Sequence, residues 1–303
     1  MLEVCVRKAG DALLDEVRRQ CQRPRGDTDA EAEGEAEQAL AEACHMAALL
    51  GKARQAANIY GGHLRARLRI EMESAMKRLA SQRALHRLNM AAGGAGLAKA
   101  AAAAGRGGGG EDSDAQPHVT ALAAVLGAAS KCMAKLARAG LDPDATAAPA
   151  ALLHGDCLAQ AAKVLDWFDN DSTLSRWQEQ ASAIAHGGKL EDIDGDGVGG
   201  AGEGKSGVDV QGMDFIVDEL AFISQLCQRY LDFSSEDMGV QTDSGSDFLA
   251  RSQRLEGVYV QLEDAYCLAS VAEAVRIAEP IEVADGICVS SMVEDGGFLL
   301  QVS

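Results

Sequence analysis

"MDFIVDELAFISQLCQRYLDF", residues 213–233, decides the fold class. Ile216, Leu220, Ile223, Cys227 and Tyr230 recur at intervals of three and four residues. That spacing puts them on one face of an α-helix, whereas a half-buried strand would alternate with period two. The same rhythm runs through most of the chain. It is carried by Leu2, Val6, Leu13, Val17 and Cys21, and from 53 to 90 by Tyr60, Leu64, Leu68, Met72, Met76 and Leu79. It continues with Leu122, Leu126, Ala129, Met133 and Leu136, then Leu153, Cys157, Ala161, Val164 and Phe168, and finally Leu255, Tyr259, Leu262, Tyr266 and Ala269. Convincing alternation is absent. One buried stripe per segment predicts six or more antiparallel helices in an all-α, elongated bundle or rod.

Composition agrees. Of 303 residues, 47% are hydrophobic and only 4% aromatic. Ala, Leu and Val suit thin helical packing better than a thick sandwich. Three segments break the rhythm. Residues 24–37 read as an acidic loop or a frayed helix start. Residues 91–117 are Ala/Gly-rich low-complexity sequence, and residues 187–212 hold ten glycines in 26 positions. The last two predict disordered insertions. The chain then divides into helical segments 1–90, 118–186 and 213–303, separated by linkers 91–117 and 187–212.

Charge is uneven. Residues 1–150 hold 20 Lys+Arg and 18 Asp+Glu, while residues 151–303 hold 8 and 28. An acidic half argues against nucleic acid as a partner and against direct docking on anionic lipid. Eight cysteines form no C-x-x-C pair, and six histidines are isolated. They read as free thiols in a reducing compartment and as ordinary surface or core residues. No stretch approaches a membrane span of about 18 apolar residues. The charged N-terminal helix is not a secretion signal. The expected location is cytosolic or peripheral.

Within 187–212, "DIDGDGVGGAGEGKSG" matches two site motifs. Asp192, Asp194, Asp196, Gly197 and Glu203 fit D-x-D-x-D-G-x5-E, the calcium loop,. Gly199, Gly204, Lys205 and Ser206 fit a phosphate loop,. A calcium loop needs flanking helices and usually a paired loop. Here "GKSGVDVQG" does not open a helix at the required point, and no second loop exists. A phosphate loop needs a strand before it and a helix after it, but "KLEDIDGDGV" is no strand and its carboxylates repel phosphate. Glu263 and Asp264 are neighbours pointing about 100° apart, so they cannot share a proton. Arg69, Glu73 and Lys77 read as a salt-bridge ladder on a solvated helix face. No Ser-His-Asp or Cys-His set can be placed. The expectation is no enzyme, no catalytic residue, no cofactor and no resident metal.

The most specific residues are in "YVQLEDAYCLASVAEAVRIAEPIEVADGICVSSMVEDGGFLLQ", 259–301. Tyr259, Val260, Leu262, Glu263, Asp264 and Tyr266 form one block; Ser290, Ser291, Met292, Val293, Glu294, Asp295 and Phe298 form a second. In order and spacing these resemble the subunit 4 family of the conserved oligomeric Golgi complex. Two further blocks are similar to that family: Asp214, Glu219, Ile223, Tyr230 and Phe233 in 213–233, and Leu49, Leu50, Gly51, Tyr60 and Leu64 in 45–68. Ser290 or Ser291 is expected to cap a following helix, with Glu294 and Asp295 in its first turn. Tyr259, Leu262, Tyr266 and Ala269 are expected to share one packing stripe.

The resemblance implies a non-catalytic tethering subunit on the cytosolic face of the Golgi, acting in intra-Golgi retrograde transport. It implies contacts with other subunits of that complex, with SNAREs and with a Sec1/Munc18-type regulator, and peripheral membrane association through the complex. The family's chain is longer at both ends, so the match corresponds to its middle helical region and the chain reads as a fragment. Gly296 and Gly297 interrupt the last helix, where each costs roughly 1 kcal/mol in a helix interior. The alternative reading is a calcium-binding regulatory protein using 192–203. A helical scaffold unrelated to the Golgi is a third.

Overall fold

A computed structural model describes residues 1–22, 30–91, 116–185, 210–243, 245–277, 280–284 and 287–290. The fold is all-α. Its helices are α1 Leu2–Cys21, α2 Ala30–Ala47, α3 Ala53–Ala91, α4 Pro117–Arg138, α5 Pro143–Asp169, α6 Ser172–Ala185, α7 Val210–Asp232 and α8 Asp247–Ile277. Helix boundaries follow local chemistry. Pro117 opens α4, where its missing N–H costs nothing,. The Asp142, Asp171 and Ser246 side chains accept backbone N–H bonds from Asp144, Thr173 and Leu249 at the starts of α5, α6 and α8,. Between α2 and α3 the chain makes a π-helical turn, Ala48–Lys52, in which Gly51 takes φ +77°. Only glycine adopts that backbone without penalty.

The helices belong to two compact units, and these are not collinear with the chain. The first comprises Met1–Asp166 and Gln225–Arg251; the second comprises Trp167–Ser224 and Ser252–Ser303. The sequence divides at its glycine-rich segments, whereas the tertiary division falls inside α5, α7 and α8.

In the first unit α3 packs along α4, and α1 packs on α2 and α3. The core is the stripe Tyr60, Leu64, Leu68, Met72 and Leu79 against Leu122, Val125, Ala129, Met133 and Leu136. Cys132 Sγ reaches the Leu64 carbonyl at 3.8 Å. Gly61 lets α5 approach α3: a Cβ there would lie 2.5 Å from the Pro149 Cβ. Ion pairs stitch the helices from outside. Asp156 on α5 accepts from Arg65 at 2.7 Å and from Arg69 at 3.0 Å. Glu37 on α2 joins Arg67 on α3 and Lys135 on α4. The Arg69–Glu73–Lys77 ladder is therefore partial. Lys77 meets Glu73 at 4.0 Å, but Arg69 turns to Asp156, which already holds Arg65.

The second unit buries Phe168, Leu174, Trp177 and Ile184 with Met213, Ile216, Leu220 and Ile223 and with Leu255, Val258, Leu262, Ala265 and Ala269. Arg254 pairs with Asp169 at 3.2 Å.

Several expectations need correction. Val6 is exposed, because the buried face of α1 starts at Gly10 and runs through Leu14 and Val17. Of the two readings of 24–37, the helix start holds from Ala30, where α2 begins. By length and composition α4 could cross a membrane, contrary to the reading of the sequence. Half of its apolar window is buried, and α3 covers that side. The described residues between 280 and 290 are not helical. Pro280–Ala284 and Ile287–Ser290 form a two-stranded antiparallel ribbon with Ser290 opposite Pro280. Ser290 is thus a strand residue. The missed signal was local: Ile281, Val283, Ile287 and Val289 alternate around Asp285-Gly286, a strong hairpin dipeptide.

Candidate interaction surface

The resemblance singles out Tyr259, Val260, Leu262, Glu263 and Tyr266, which lie on α8 in the second unit. The structure separates them by role. Leu262 is fully buried. Val260 is 53% exposed and Glu263 is exposed. Tyr259 and Tyr266 are half-buried at the edge of the core, so the stripe expected through both tyrosines passes instead through Leu255, Val258, Leu262, Ala265 and Ala269. The reason is the phenol. Its ring can cover apolar neighbours while its hydroxyl stays near polar groups.

Those polar groups come from α7. Tyr266 shares a hydrogen bond with Asp214, and Asp218 lies within electrostatic reach of Tyr259. The order 214 with 266 and 218 with 259 makes the two helices antiparallel neighbours. Burial, followed by the Glu263 hydrogen bond, raises the Tyr259 hydroxyl; burial and the charge of Asp214 raise that of Tyr266. Both are neutral phenols at physiological pH.

Carboxylates stand beside this seam, and each helix exposes apolar residues farther out. Phe215 is 49% and Phe222 51% exposed, seven residues apart on one side of α7. Val260 and Val271, eleven residues apart, lie on one side of α8 and are 53% and 47% exposed. Asp214, Asp218, Glu256 and Glu263 stand among them, all exposed. Neither 210–224 nor 255–275 contains a Lys or Arg.

A polar cluster that sequence reasoning passed over sits in the first unit. His154 is buried, stacks on Tyr230 with ring centroids 5.6 Å apart, and meets the Tyr230 hydroxyl through Nδ1 at 3.1 Å. Its Nε2 meets Thr242 Oγ1 at 3.0 Å. Tyr230 also donates toward Met133 Sδ at 3.8 Å. Burial lowers the His154 pKa and pushes the Cys157 thiol up to about 12. At 4%, 3% and 0% exposure, His154, Tyr230 and Cys157 are closed to any substrate. The cluster pins the segment carrying Thr242 to α5. The sequence signal, His154 and Cys157 on one helical face, cannot specify partners 76 and 88 residues away.

Among the described residues no three His, Cys, Asp or Glu side chains are arranged to hold a metal. Cys44 and Cys157 are buried free thiols, whereas Cys5 and Cys267 are free but exposed. Burial holds Cys21 and Cys44 at about 11 and 12, so both stay protonated at neutral pH. Asp192, Asp194, Asp196 and Glu203 lie outside the described residues, as do Ser291, Met292, Val293, Glu294 and Asp295. No family model, no curated protein and no solved structure matches this chain.

Proposed function

We propose that the chain is a non-catalytic subunit of a Golgi vesicle-tethering complex, scaffolding intra-Golgi retrograde transport from the cytosolic face of the membrane. The observation that carries this reading is the order and spacing of "YVQLEDAY" and "SSMVED" at 259–295. Two features support it. Gly51 of the similar Leu49-Leu50-Gly51 turn has the positive φ that a glycine there would serve. The second unit exposes Phe215, Phe222, Val260 and Val271 together with carboxylates, side chains suited to protein contact,. The partners in this reading are the other subunits of the complex, with SNAREs and a Sec1/Munc18-type regulator beyond them. The chain reaches the membrane through the complex.

The test is affinity purification of the tagged full chain at native expression, probing for the other subunits of the Golgi complex. Stoichiometric recovery of at least one is expected, with loss in the Phe222→Asp/Val260→Asp variant. Recovery of none would refute the reading. The calcium-binding alternative rests on the D-x-D-x-D-G-x5-E spacing of 192–203 alone.

A further inference from the structure

We infer that Ser81 is a phosphorylation site, taken by a basophilic serine/threonine protein kinase where α3 runs past its last buried turn. The flanking sequence is Lys77-Arg78-Leu79-Ala80-Ser81-Gln82-Arg83. Lysine stands four residues before the acceptor, arginine three before it and arginine two after it, with no carboxylate among them. A kinase whose peptide groove is lined by carboxylates selects its substrate by that charge pattern. Arg78 is the strong element, because a guanidinium fork pairs bidentately with a carboxylate.

Placement decides whether a kinase reaches the hydroxyl. A kinase takes its acceptor in an extended segment, so the helix has to open locally. The buried stripe of α3 runs through Leu68, Met72, Ala75 and Leu79. From Ala80 to Leu85 no residue is buried; Ser81 is exposed and Leu85 is 60% exposed. The cause is where α4 begins. Gly61 meets Pro149, and Arg65 and Arg69 both meet Asp156, so α3 and α5 run parallel. The short turn between α4 and α5 reverses the chain, which makes α4 antiparallel to α3. Cys132 of α4 lies beside Leu64 of α3. The step from 132 back to Pro117, the first residue of α4, equals the step from 64 on to Leu79. Past Leu79 the helix has therefore lost the neighbour that buries its stripe. A short unpacked helical end is marginal in water, and opening it leaves the buried residues of the core in place. The Ser81 hydroxyl donates to the Lys77 carbonyl at 2.9 Å, a bond released by the same opening.

Ser74 supplies the contrast within the same helix. It is exposed as well, but Glu71 stands three residues before it and Glu73 next to it, and the adjacent Met72 and Ala75 are buried. Its charge pattern is the wrong one, and it cannot open without unpacking the core.

The kinase brings ATP with its magnesium ion. Ser81 Oγ attacks the γ-phosphorus, and the Oγ–P bond forms as the bond from that phosphorus to the β–γ bridging oxygen breaks. ADP leaves, and the hydroxyl proton passes to the kinase's catalytic base. The product carries a charge of about −1.5 to −2 at pH 7. With α3 re-formed, the phosphate lies one turn from Lys77 and Arg78 and offsets both cations. Lys77 meets Glu73 only at 4.0 Å, a long contact that the phosphate displaces. The inference rests on α3 and its sequence and is independent of the tether reading.

The test incubates the full chain with magnesium, ATP and the catalytic subunit of cyclic-AMP-dependent protein kinase, a basophilic enzyme, and maps phosphate by tandem mass spectrometry. Incorporation approaching one phosphate per chain at Ser81 is expected, and none there with an acidophilic casein kinase. Arg78→Gln, at an exposed position, should slow modification of Ser81 by about tenfold or more with unchanged circular dichroism. Ala84→Gly should speed it several-fold, because glycine eases helix opening. A chain that stays unmodified at Ser81 while a synthetic peptide of residues 74–88 is modified would overturn the inference, since α3 then hides the site. Equal modification of Ser74, or a rate at Ser81 unmoved by Arg78→Gln or by Ala84→Gly, would do the same. So would phosphate on Thr28, where Arg25 has the same spacing, with none on Ser81.

Discussion

Replacing Glu37 with glutamine isolates one charge at the meeting point of three helices. Glu37 on α2 accepts from Arg67 of α3 at 2.7 Å and from Lys135 of α4. Burial alone would raise its carboxyl, but the hydrogen bonds from Lys135 and Arg67 outweigh burial and hold it at about 2, against an ordinary 4.5. Such a difference corresponds to about 3 kcal/mol at most. The carboxylate side chain is 25% exposed, and solvent screening reduces the expected value to about 1.5–2 kcal/mol. The folded pKa lies below the unfolded one. The contribution is therefore complete above about pH 5 and is lost as pH falls toward 2. Urea unfolding of wild type and Glu37→Gln, with equal m-values, should differ by about 1.5–2 kcal/mol at pH 7. The difference should shrink by about half by pH 3, as the unfolded wild type takes up the proton first. A difference below about 0.5 kcal/mol at pH 7, or one that stays flat to pH 3, refutes the reasoning.

Three further outcomes follow from other parts of the molecule. Gly61→Ala places a methyl against Pro149 and should destabilise the chain by about 1–3 kcal/mol, measured by urea denaturation, because α3 and α5 must separate,. His154 has a lowered folded pKa, so wild-type stability should decline as pH falls through about 6.5, where the unfolded histidine protonates; His154→Gln should remove that part of the slope in urea melts between pH 7 and 5.5. Calorimetry with calcium should give no micromolar isotherm for the chain, and such an isotherm abolished by Asp192→Ala would establish the calcium reading instead.

The surface was only half legible in the sequence. Tyr259, Val260, Leu262, Glu263 and Tyr266 stood out as a block, but nothing in their spacing said that Leu262 is core, Val260 is surface and the tyrosines are the seam. The periodicity of α8 gives an apolar arc wide enough to include either tyrosine. Packing against α7 chose Val258 and Ala265 for the interior and left the phenols at the edge, where Asp214 could be reached. Phe215 and Phe222 attracted no notice because the stripe through Ile216, Leu220 and Ile223 already accounted for the helix. Only exposure shows that the chain carries a second apolar strip on the same element.

What the sequence determined by itself is local. A helix is fixed by bonds spanning four residues and by a side-chain period of 3.6, so the stripes of α3, α4, α5, α7 and α8 could be read directly. The paired strands Pro280–Ala284 and Ile287–Ser290 were equally local and could have been read from their alternation. The tertiary structure decided what no short-range rule reaches. It brought Asp156 to Arg65 and Arg69 across separations of 91 and 87 residues, Glu37 to Lys135 across 98, and His154 to Thr242 across 88. It also drew the division between units inside α5, α7 and α8 rather than at the glycine-rich segments. Such pairings depend on which faces meet when the stripes are buried together, and many arrangements of the same stripes would satisfy the local pattern equally well.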